Sequence, residues 1–237
     1  MTLTICIIAK DGIVLASDSR ASLYLTSNDT VKKIFKLDDH NAVGIAGDGP
    51  LAMSFFDAIS ADLNYRNGIG NLAEQLRKLG KEKFDEWFSH QEPDKRSSLT
   101  ILLAGYTLDG KPEIYQLTSH DNFVPRKSTT GFDCIGIPVI ANYILNRVYE
   151  HEITTTQAAE LSAFCIKETS SQDYRVGGPT QIAKFSNTQA YAELPRSEVG
   201  GIEKKCEQIR LLQKNYFYPE ESDAGPTSSQ DAKKSFA

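Results

Sequence analysis

Residues 1–20 read MTLTICIIAKDGIVLASDSR and contain the clearest local pattern in the chain. Residues 2–8 are mostly apolar or β-branched, which predicts a β-strand. Residues 10–12 (KDG) predict a hairpin turn, because Asp-Gly tolerates the positive φ angles that such turns need. Residues 13–16 are then predicted to return as a second strand. The pattern therefore places Thr2 at the end of a paired strand, where it is held in place.

Thr2 in this position is a candidate nucleophile. A threonine hydroxyl reacts poorly until a base removes its proton. An α-amine has a pKa of about 7.7–8.0, so the free amine of Thr2 can serve as that base at neutral pH. This chemistry requires removal of Met1, because a retained Met1 would convert the amine into an amide. Thr4 is a competing threonine in the same predicted strand.

Composition restricts the class of protein. A chain of 237 residues fits one large domain or two small ones, and 40% hydrophobic and 24% charged residues are ordinary for a soluble globular protein. The net charge of −5 argues against nucleic-acid binding. The sequence shows neither an apolar run of membrane-spanning length nor the pattern of a signal peptide. We therefore expect a soluble, cytoplasmic protein that binds neither nucleic acid nor membrane.

The four cysteines, Cys6, Cys134, Cys165 and Cys206, are far apart and contain no Cys-x-x-Cys pair. This spacing argues against a zinc site or a redox motif. A free cysteine packs as a small apolar side chain, so we expect four buried, reduced thiols. No other motif indicates a metal or a cofactor, and none is expected.

Further strands and helices alternate in groups along the chain. The predicted strands are 31–37, 42–47, 98–107, 112–118, 123–130, 180–185 and 189–194. The predicted helices are 51–63, 72–88, 139–148, a helix from residue 155 that Thr154 caps, and 199–217. Residues 21–30 form a loop or an irregular strand, and residues 131–136 lead into a helix. This order predicts a layered α+β fold, with one domain over 1–217 and a disordered polar tail over 218–237.

Four segments carry a family resemblance when they are taken together with Thr2. They are KDGIVLASDSR at 10–20, VKKIF at 31–35, GIAG at 44–47, and Asp173 followed by Gly177-Gly178. In this order they resemble the proteasome β-subunit family of N-terminal-nucleophile hydrolases, over residues 2 to about 194. Asp18 has the family's spacing from Thr2, and Lys33 is one residue short of it. The resemblance implies a four-layer αββα sandwich of two antiparallel sheets flanked by helices.

The resemblance assigns catalytic roles to three of these residues. Thr2 would be the nucleophile and, through its amine, the base. Lys33 would favour the alkoxide of Thr2 by its positive charge, and Asp18 would keep Lys33 protonated and oriented. Without the resemblance, Lys33 would be a solvated edge lysine and Asp18 an aspartate that closes a turn. Successive side chains of a strand point to opposite faces, so Lys32 is expected to point away from the site and to be the solvent-exposed lysine of the two.

Three further residues would complete the site. Gly47 would donate its backbone N–H to the developing oxyanion. A phosphate loop at 47–49 is a poor alternative, because no lysine and hydroxyl residue follow it. Asp173 would bind the amine of Thr2, and Arg20 would support the carboxylate of Asp18.

The resemblance also implies a first substrate pocket. Its lining residues would be Ala21, Val31, Ile45, Gly49 and Met53. These side chains are small or apolar, which favours an apolar residue on the acyl side of the scissile bond.

Two positions depart from the family pattern. The family usually has serine where this chain has Ile135, and again where this chain has Val176. Those hydroxyls help to hydrogen-bond the amine and tune its proton, which isoleucine and valine cannot do. The departures suggest a divergent bacterial-type homologue, such as the Anbu group, or a subunit with little peptidase activity.

Three functions remain open at this stage. The leading one is a threonine peptidase that acts on peptides or unfolded proteins through an acyl-enzyme, inside a homo-oligomeric ring, with an ATP-dependent unfoldase as a candidate partner. The second is a non-catalytic subunit that builds such a ring or scaffold. The third is an N-terminal-nucleophile amidase for small molecules.

Overall fold

The computed structural model describes residues 2–23, 26–47, 49–60 and 62–218. Within these ranges the strands are β1 (Leu3–Ala9), β2 (Gly12–Ser17), β3 (Ala21–Leu23), β4 (Thr26–Asn28), β5 (Ile34–Lys36), β6 (Ala42–Gly47), β7 (Leu99–Tyr106), β8 (Pro112–Thr118), β9 (Arg126–Lys127), β10 (Phe132–Gly136), β11 (Gln181–Phe185) and β12 (Ala192–Glu193). The α-helices are α1 (Gly49–Ser60), α2 (Gly68–Trp87), α3 (Val139–Val148), α4 (Thr155–Gln172) and α5 (Arg196–Phe217). Short 3-10 turns cover Tyr65–Asn67, Pro93–Lys95 and Ser119–Asp121.

The predicted first hairpin is confirmed. β1 and β2 pair antiparallel, with Thr4 opposite Ser17 at one end and Ala9 opposite Gly12 at the other. β1 also pairs with β10 on its other side, in a first sheet of order β10-β1-β2-β11-β12. The strand that follows Thr2 therefore lies inside a sheet and has a hydrogen-bonded neighbour on each side.

A second antiparallel sheet has the order β5-β6-β7-β8-β9, and β3 and β4 form a separate two-stranded ribbon. Three apolar clusters define how the layers stack. One joins the first sheet to α3, α4 and α5, and includes Ile5 and Ile166. Another joins the second sheet to α1 and α2, and includes Leu72. The third lies between the sheets and includes Leu15 and Leu102. The layer order helix, sheet, sheet, helix confirms the predicted αββα sandwich.

The start of α4 is determined by local side-chain chemistry. The Thr154 hydroxyl accepts from the backbone N–H of Gln157 at 3.3 Å, while the Gln157 side chain accepts from the N–H of Thr154 at 2.8 Å. This reciprocal arrangement is a capping box, and it confirms the predicted cap. Asp11, in the turn of the first hairpin, also accepts the N–H of Thr155 at 2.7 Å. The hairpin turn is therefore attached to the helix that covers it.

Several predicted boundaries were wrong. β5, β9 and β12 are shorter than predicted, because an extended pattern becomes a strand only where a partner strand pairs with it. At the predicted strand 123–130, Asn122 and Phe123 have left-handed φ angles of 52° and 56°, so the chain turns there instead. α5 begins directly after Pro195, whose fixed φ suits the start of a helix.

The sequence pattern missed β10, which was interpreted as a lead-in to a helix. β10 pairs with β1 from Leu3 opposite Gly136 to Ile7 opposite Phe132. Gly136 has a φ of 91°, and a Cβ there would lie 1.8 Å from the carbonyl oxygen of Thr2. Glycine is required at this position because the backbone of residue 2 runs directly against it.

The four cysteines are buried and free, as predicted. Burial raises the pKa of Cys6 and Cys134 well above the ordinary value, that of Cys165 to about 12 and that of Cys206 to about 11. In the described ranges no helix is long and apolar enough to cross a membrane. The predicted tail lies outside the described residues, except for Tyr218.

The attachment of α5 depends on Glu203, which is 8% exposed. Its carboxylate accepts the N–H and the hydroxyl of Thr180 at 3.1 and 2.9 Å, and it pairs with Arg196 at 2.9 Å and Lys167 at 3.3 Å. Burial raises the pKa of Glu203, but the hydrogen bonds from Thr180 and the two cations outweigh burial, so the pKa is lowered. The folded state therefore favours the ionised carboxylate.

We expect Glu203→Gln to lower the free energy of unfolding by about 2 kcal/mol at neutral pH, because charged hydrogen bonds are lost from a buried site. A lowered pKa contributes stability above the ordinary value of 4.5, and this stability is lost as the pH falls through the folded-state pKa. The difference in the free energy of unfolding between wild type and variant should therefore be constant near pH 7 and shrink below about pH 4.5. Urea unfolding at several pH values measures it, with the exposed Glu207→Gln as the matched control. An equal loss at every pH would contradict this account.

Candidate active site

The carboxylate of Asp18 lies at the centre of the site and is fully buried. Oδ1 accepts the backbone N–H of Leu3 at 3.0 Å and the Nζ of Lys33 at 2.8 Å. Oδ2 accepts the backbone N–H groups of Arg20 at 3.2 Å and Gly177 at 3.0 Å. Four donors from four segments therefore compensate this buried negative charge.

Strand register places Thr2 beside this carboxylate. Thr4 pairs with Ser17, and the Leu3 carbonyl accepts from the N–H of Asp18 at 3.2 Å and the Ser17 hydroxyl at 3.0 Å. Thr2 itself is 5% exposed, and its carbonyl accepts the N–H of Ile137 at 2.9 Å. Thr4 faces the second sheet, because a Cβ on Gly44 would lie 2.3 Å from its methyl group. By alternation Thr2 faces the same way, toward the space between the sheets.

Lys33 is buried at the same end of the sandwich. Besides Asp18, its Nζ donates to the carbonyl of Arg20 at 2.5 Å. Burial lowers the pKa of Lys33, and this effect outweighs the attraction of Asp18, which raises it. Lys32, in contrast, is half exposed and pairs with Glu193 at 2.7 Å. The two neighbouring lysines thus face opposite ways, as expected, although both precede β5 and extended pairing does not include them.

Gly47 ends β6 with a φ of 146° and pairs with Leu99 of β7. A Cβ at this position would lie 2.3 Å from the carbonyl oxygen of Ser98. Glycine is therefore required by both the backbone conformation and the closeness of the adjacent strand. Its role as an oxyanion donor stays a prediction.

Asp173 directly follows α4 and is engaged by Arg175. Nε and Nη2 of Arg175 donate to the two carboxylate oxygens at 2.9 and 2.6 Å, and its backbone N–H donates at 2.9 Å. The hydrogen bonds from Arg175 are the largest cause that lowers the pKa of Asp173. No sequence pattern indicates this pair, because an arginine two residues from an aspartate is common on surfaces.

Arg20 supports Asp18 through its backbone and not through its side chain. Its guanidinium binds Asp29 through two contacts of 2.8 Å and donates to the carbonyl of Tyr174 at 3.0 Å. Only its backbone N–H reaches Asp18. Asp29 directly follows the β3–β4 ribbon, which folds back beside Arg20, so no local pattern indicates this pair.

The predicted pocket residues fall into two groups. Ile45 is buried and Met53 half-buried in the cluster beneath α1 and α2. Val31 lies in the segment that leads to Lys33, where its carbonyl accepts the side-chain amide of Gln181 at 2.6 Å. Ala21 begins β3 and Gly49 begins α1. Ala21 and Val31 do not belong to the cluster that holds Ile45 and Met53, so the pocket as a unit stays a prediction.

The two departures from the expected pattern are both buried. Ile135 packs between the sheets and Val176 packs among the helices that cover the first sheet. Neither side chain can form a hydrogen bond. These two positions therefore supply no hydroxyl group.

The fold and this arrangement define a class of protein. Two stacked antiparallel sheets between helical layers, with a central strand that starts one residue after Thr2, form the fold of the N-terminal-nucleophile hydrolases. A family model described as Proteasome subunit matches residues 2–184. The chain belongs to the proteasome subunit family, and the resemblance inferred from the sequence motifs is confirmed.

Curated relatives are proteasome β subunits of archaea. The subunit of Methanobrevibacter smithii is 29% identical over 206 residues, which cover 85% of this chain and 94% of the relative. The β subunit of Methanopyrus kandleri is 26% identical over 200 residues, which cover 84% of this chain and 93% of the relative. These matches span nearly the whole length of each relative, and the chain is a proteasome β-like subunit.

Solved structures of bacterial Anbu proteins share the fold. The Anbu (Gly-1) mutant of Hyphomicrobium sp. strain MC1 superposes with a TM-score of 0.73 at 16% identity. The match covers 94% of this chain and 100% of the Anbu chain. The helical assembly of the Anbu complex from Pseudomonas aeruginosa gives a TM-score of 0.72 at 17% identity. This match covers 97% of this chain and 100% of the Anbu chain. At these identities the similarity concerns the fold alone.

We expect Gly47→Ala to lower the free energy of unfolding by about 2 kcal/mol or more, because it combines backbone strain with a close contact to Ser98. Gly200→Ala is the matched control, since among the described residues no atom lies within 4 Å of a Cβ there. In helix α5 this control should gain about 0.5–1 kcal/mol. Thermal or urea unfolding measures both. Equal stability of Gly47→Ala and wild type would show that the strain is absent.

Proposed function

We propose that this chain is a threonine peptidase, which hydrolyses peptide bonds through an ester on Thr2 after Met1 has been removed. One observation carries the proposal. The buried Asp18 carboxylate binds both the amide next to Thr2 and the ammonium group of Lys33. A charged lysine is costly to bury, and its pairing with the carboxylate that binds the amide after Thr2 supports a role for Lys33 beside the nucleophile.

The reaction would run in two halves. The free amine of Thr2 accepts the proton of its hydroxyl, directly or through a water, while the oxygen attacks the substrate carbonyl. The tetrahedral intermediate places its negative charge near the N–H of Gly47. Collapse of the intermediate forms the ester and expels the amine product, which takes the proton. Water then hydrolyses the ester by the same steps and regenerates Thr2.

The charge of Lys33 would favour the alkoxide of Thr2 during attack. Because the pKa of Lys33 is lowered by burial, this positive charge should be lost below the ordinary lysine value of 10.5. Activity should accordingly fall at alkaline pH as Lys33 deprotonates. Asp18 opposes this loss by pairing with the ammonium group.

Assembly is part of the proposal. The Anbu complex of Pseudomonas aeruginosa forms a helical assembly, and proteasome subunits associate with copies of themselves. We expect this chain to form a homo-oligomer, as a closed ring or an open helix, in the cytoplasm. Peptides or unfolded proteins would be its substrates, and an ATP-dependent unfoldase is a candidate partner.

A second function is favoured by one specific feature. Buried Ile135 and Val176 replace the two hydroxyls that normally assist the amine. A subunit that retained the fold but lost catalysis could keep these substitutions without cost. It would then serve as a non-catalytic subunit of the same kind of assembly.

Labelling separates the two functions. Purified protein is analysed by intact mass before and after treatment with an epoxyketone or a β-lactone probe. We expect loss of Met1 and one adduct that maps to Thr2, with no adduct on Thr2→Ala. Protein that lacks Met1 but never labels would support the non-catalytic function. A substrate panel of fluorogenic peptides and small amides then identifies the class of amide that is cleaved.

The two adjacent lysines provide a matched pair of variants. Lys33→Met should lower kcat/KM for a fluorogenic peptide by about 100-fold or more, because the charge beside the reacting oxygen is lost. Lys32→Met removes the same charge from an exposed position and should change kcat/KM less than about twofold. The alkaline fall in activity should persist in Lys32→Met. Equal effects of the two substitutions would count against the assignment of Lys33.

Light scattering tests the assembly. We expect light scattering to give a molar mass several times the monomer mass of 26.2 kDa, both for wild type and for Thr2→Ala. Catalysis is not needed for association, so both proteins should give the same mass. A stable monomer at micromolar concentration would refute this part of the proposal.

A further inference from the structure

The segment that carries Lys33 lies directly before β5 and outside its ladder. β5 begins at Ile34, at the edge of the second sheet. In the segment before it, Val31 donates its N–H to the carbonyl of Ser19 at 3.0 Å, and the carbonyl of Lys33 accepts the N–H of Ile45 at 3.0 Å. Two further main-chain groups, the carbonyl of Val31 and the N–H of Lys33, need partners from outside the ladder.

Both of these partners come from one side chain, that of Gln181. Its Oε1 accepts the N–H of Lys33 at 3.1 Å, and its Nε2 donates to the carbonyl of Val31 at 2.6 Å. A side-chain amide has an accepting oxygen and a donating nitrogen, so it can bind an N–H and a carbonyl at the same time, as a strand does. The reversed amide would place its NH2 group against the N–H of Lys33, so these partners also fix its direction.

Gln181 reaches this segment from the other sheet. It begins β11 and pairs with Ser17 of β2. Ala183, two residues further on, packs between the sheets, and alternation turns Gln181 to the same side. The preceding residue, Thr180, is bound by the carboxylate of Glu203. Gln181 therefore connects a well-anchored strand of the first sheet to the edge of the second.

The ion pair of Lys33 does not by itself fix the backbone of this residue. The Nζ contacts Asp18 at 2.8 Å and the carbonyl of Arg20 at 2.5 Å. A lysine side chain is a flexible four-carbon stem, so its tip can stay paired while its backbone shifts. The main-chain contacts with Ile45 and Gln181 remove this freedom, because they hold the carbonyl and the N–H of Lys33 from two directions.

We propose that Gln181 is a positioning residue for Lys33: its side-chain amide takes the place of a neighbouring strand and fixes the depth at which the ammonium group is buried beside Asp18. Gln181 acts through Lys33 and not on the reacting atoms. This inference deepens the proposed function and rests on it, because Lys33 supplies there the charge that favours the alkoxide of Thr2.

Gln181→Met keeps the length of the side chain and removes both hydrogen bonds. We expect kcat for a fluorogenic peptide to fall about tenfold, because the charge of Lys33 is no longer held in place. Burial is the main cause that lowers the pKa of Lys33, so this pKa should rise toward 10.5 as water gains access. The other charged groups near Lys33 are Asp18, Arg20 and Asp29, and the substitution changes none of them. The alkaline fall in activity should therefore move to higher pH in a slower enzyme, which loss of folded protein alone would not cause.

The pKa of Lys33 is also measured without turnover. Protein is labelled with limiting acetic anhydride at a series of pH values, and mass spectrometry gives the acetylation rates of Lys32 and Lys33 separately. The pH dependence of each rate reports the pKa of that amine. Lys32 is the internal reference, because it is half exposed and should titrate alike in wild type and Gln181→Met.

Three further proteins make the result specific. Gln116→Met removes an amide of β8 that accepts from Arg126 at 2.7 Å, and should change neither kcat nor the pKa of Lys33. Gln181→Asn keeps an amide that is one methylene shorter, so its effects should be smaller and in the same direction. In the Lys33→Met background, Gln181→Met should lower kcat clearly less than in wild type, because both act through one charge. If Gln181→Met does not fold, Gln181→Asn decides.

The outcomes distinguish this inference from the proposed function. A folded Gln181→Met protein in which Lys33 titrates as in wild type would overturn the role of Gln181, even if wild type labels at Thr2 and cleaves peptides. A raised pKa of Lys33 in a protein that never labels would keep Gln181 as its positioning residue and remove the peptidase. An equally large fall in kcat in the Lys33→Met background would show that Gln181 acts apart from Lys33, and would also overturn the inference.

Discussion

The buried carboxylate of Asp18 is the contact on which the arrangement of this molecule depends. A charge without access to water is tolerated only when its partners are complete, and Asp18 has four. Three are backbone N–H groups from separate parts of the chain, and the fourth is the ammonium of Lys33. Each partner is thereby held to the others. The first strand, the catalytic lysine candidate and the loop after α4 share one point of attachment.

The sheets explain how the start of the chain can be placed so firmly. β1 has a partner strand on each side, and the Thr2 carbonyl is bound by Ile137 beyond the end of β10. Gly136 allows this approach, because any side chain there would collide with the backbone of residue 2. Chain ends usually fray because nothing pairs with them. Here the pairing continues to the residue that the proposed chemistry needs.

Some of the site could be predicted from sequence and some could not. The pairing of Lys33 with Asp18 was implied by the family resemblance. The opposite directions of Lys32 and Lys33 were expected from strand alternation, although both residues precede β5. The pairing of the Arg20 guanidinium with Asp29 was not predicted, because the fold of the β3–β4 ribbon brings Asp29 to it. The contact of Arg175 with Asp173 was not predicted, since side-chain direction in a loop depends on what the loop is anchored to.

The amino-acid pattern was enough to establish the first hairpin, the helix cap at Thr154 and most of the strands and helices, and the motifs were enough for the family resemblance. These features arise between neighbours in the chain, where alternation, turn chemistry and capping act over a few residues. β10, the four donors around Asp18 and the pairing of Asp173 became visible only in the folded molecule. They join residues that lie up to 159 positions apart, and the partners of a buried charge are selected by sheet register and packing, which no local pattern encodes.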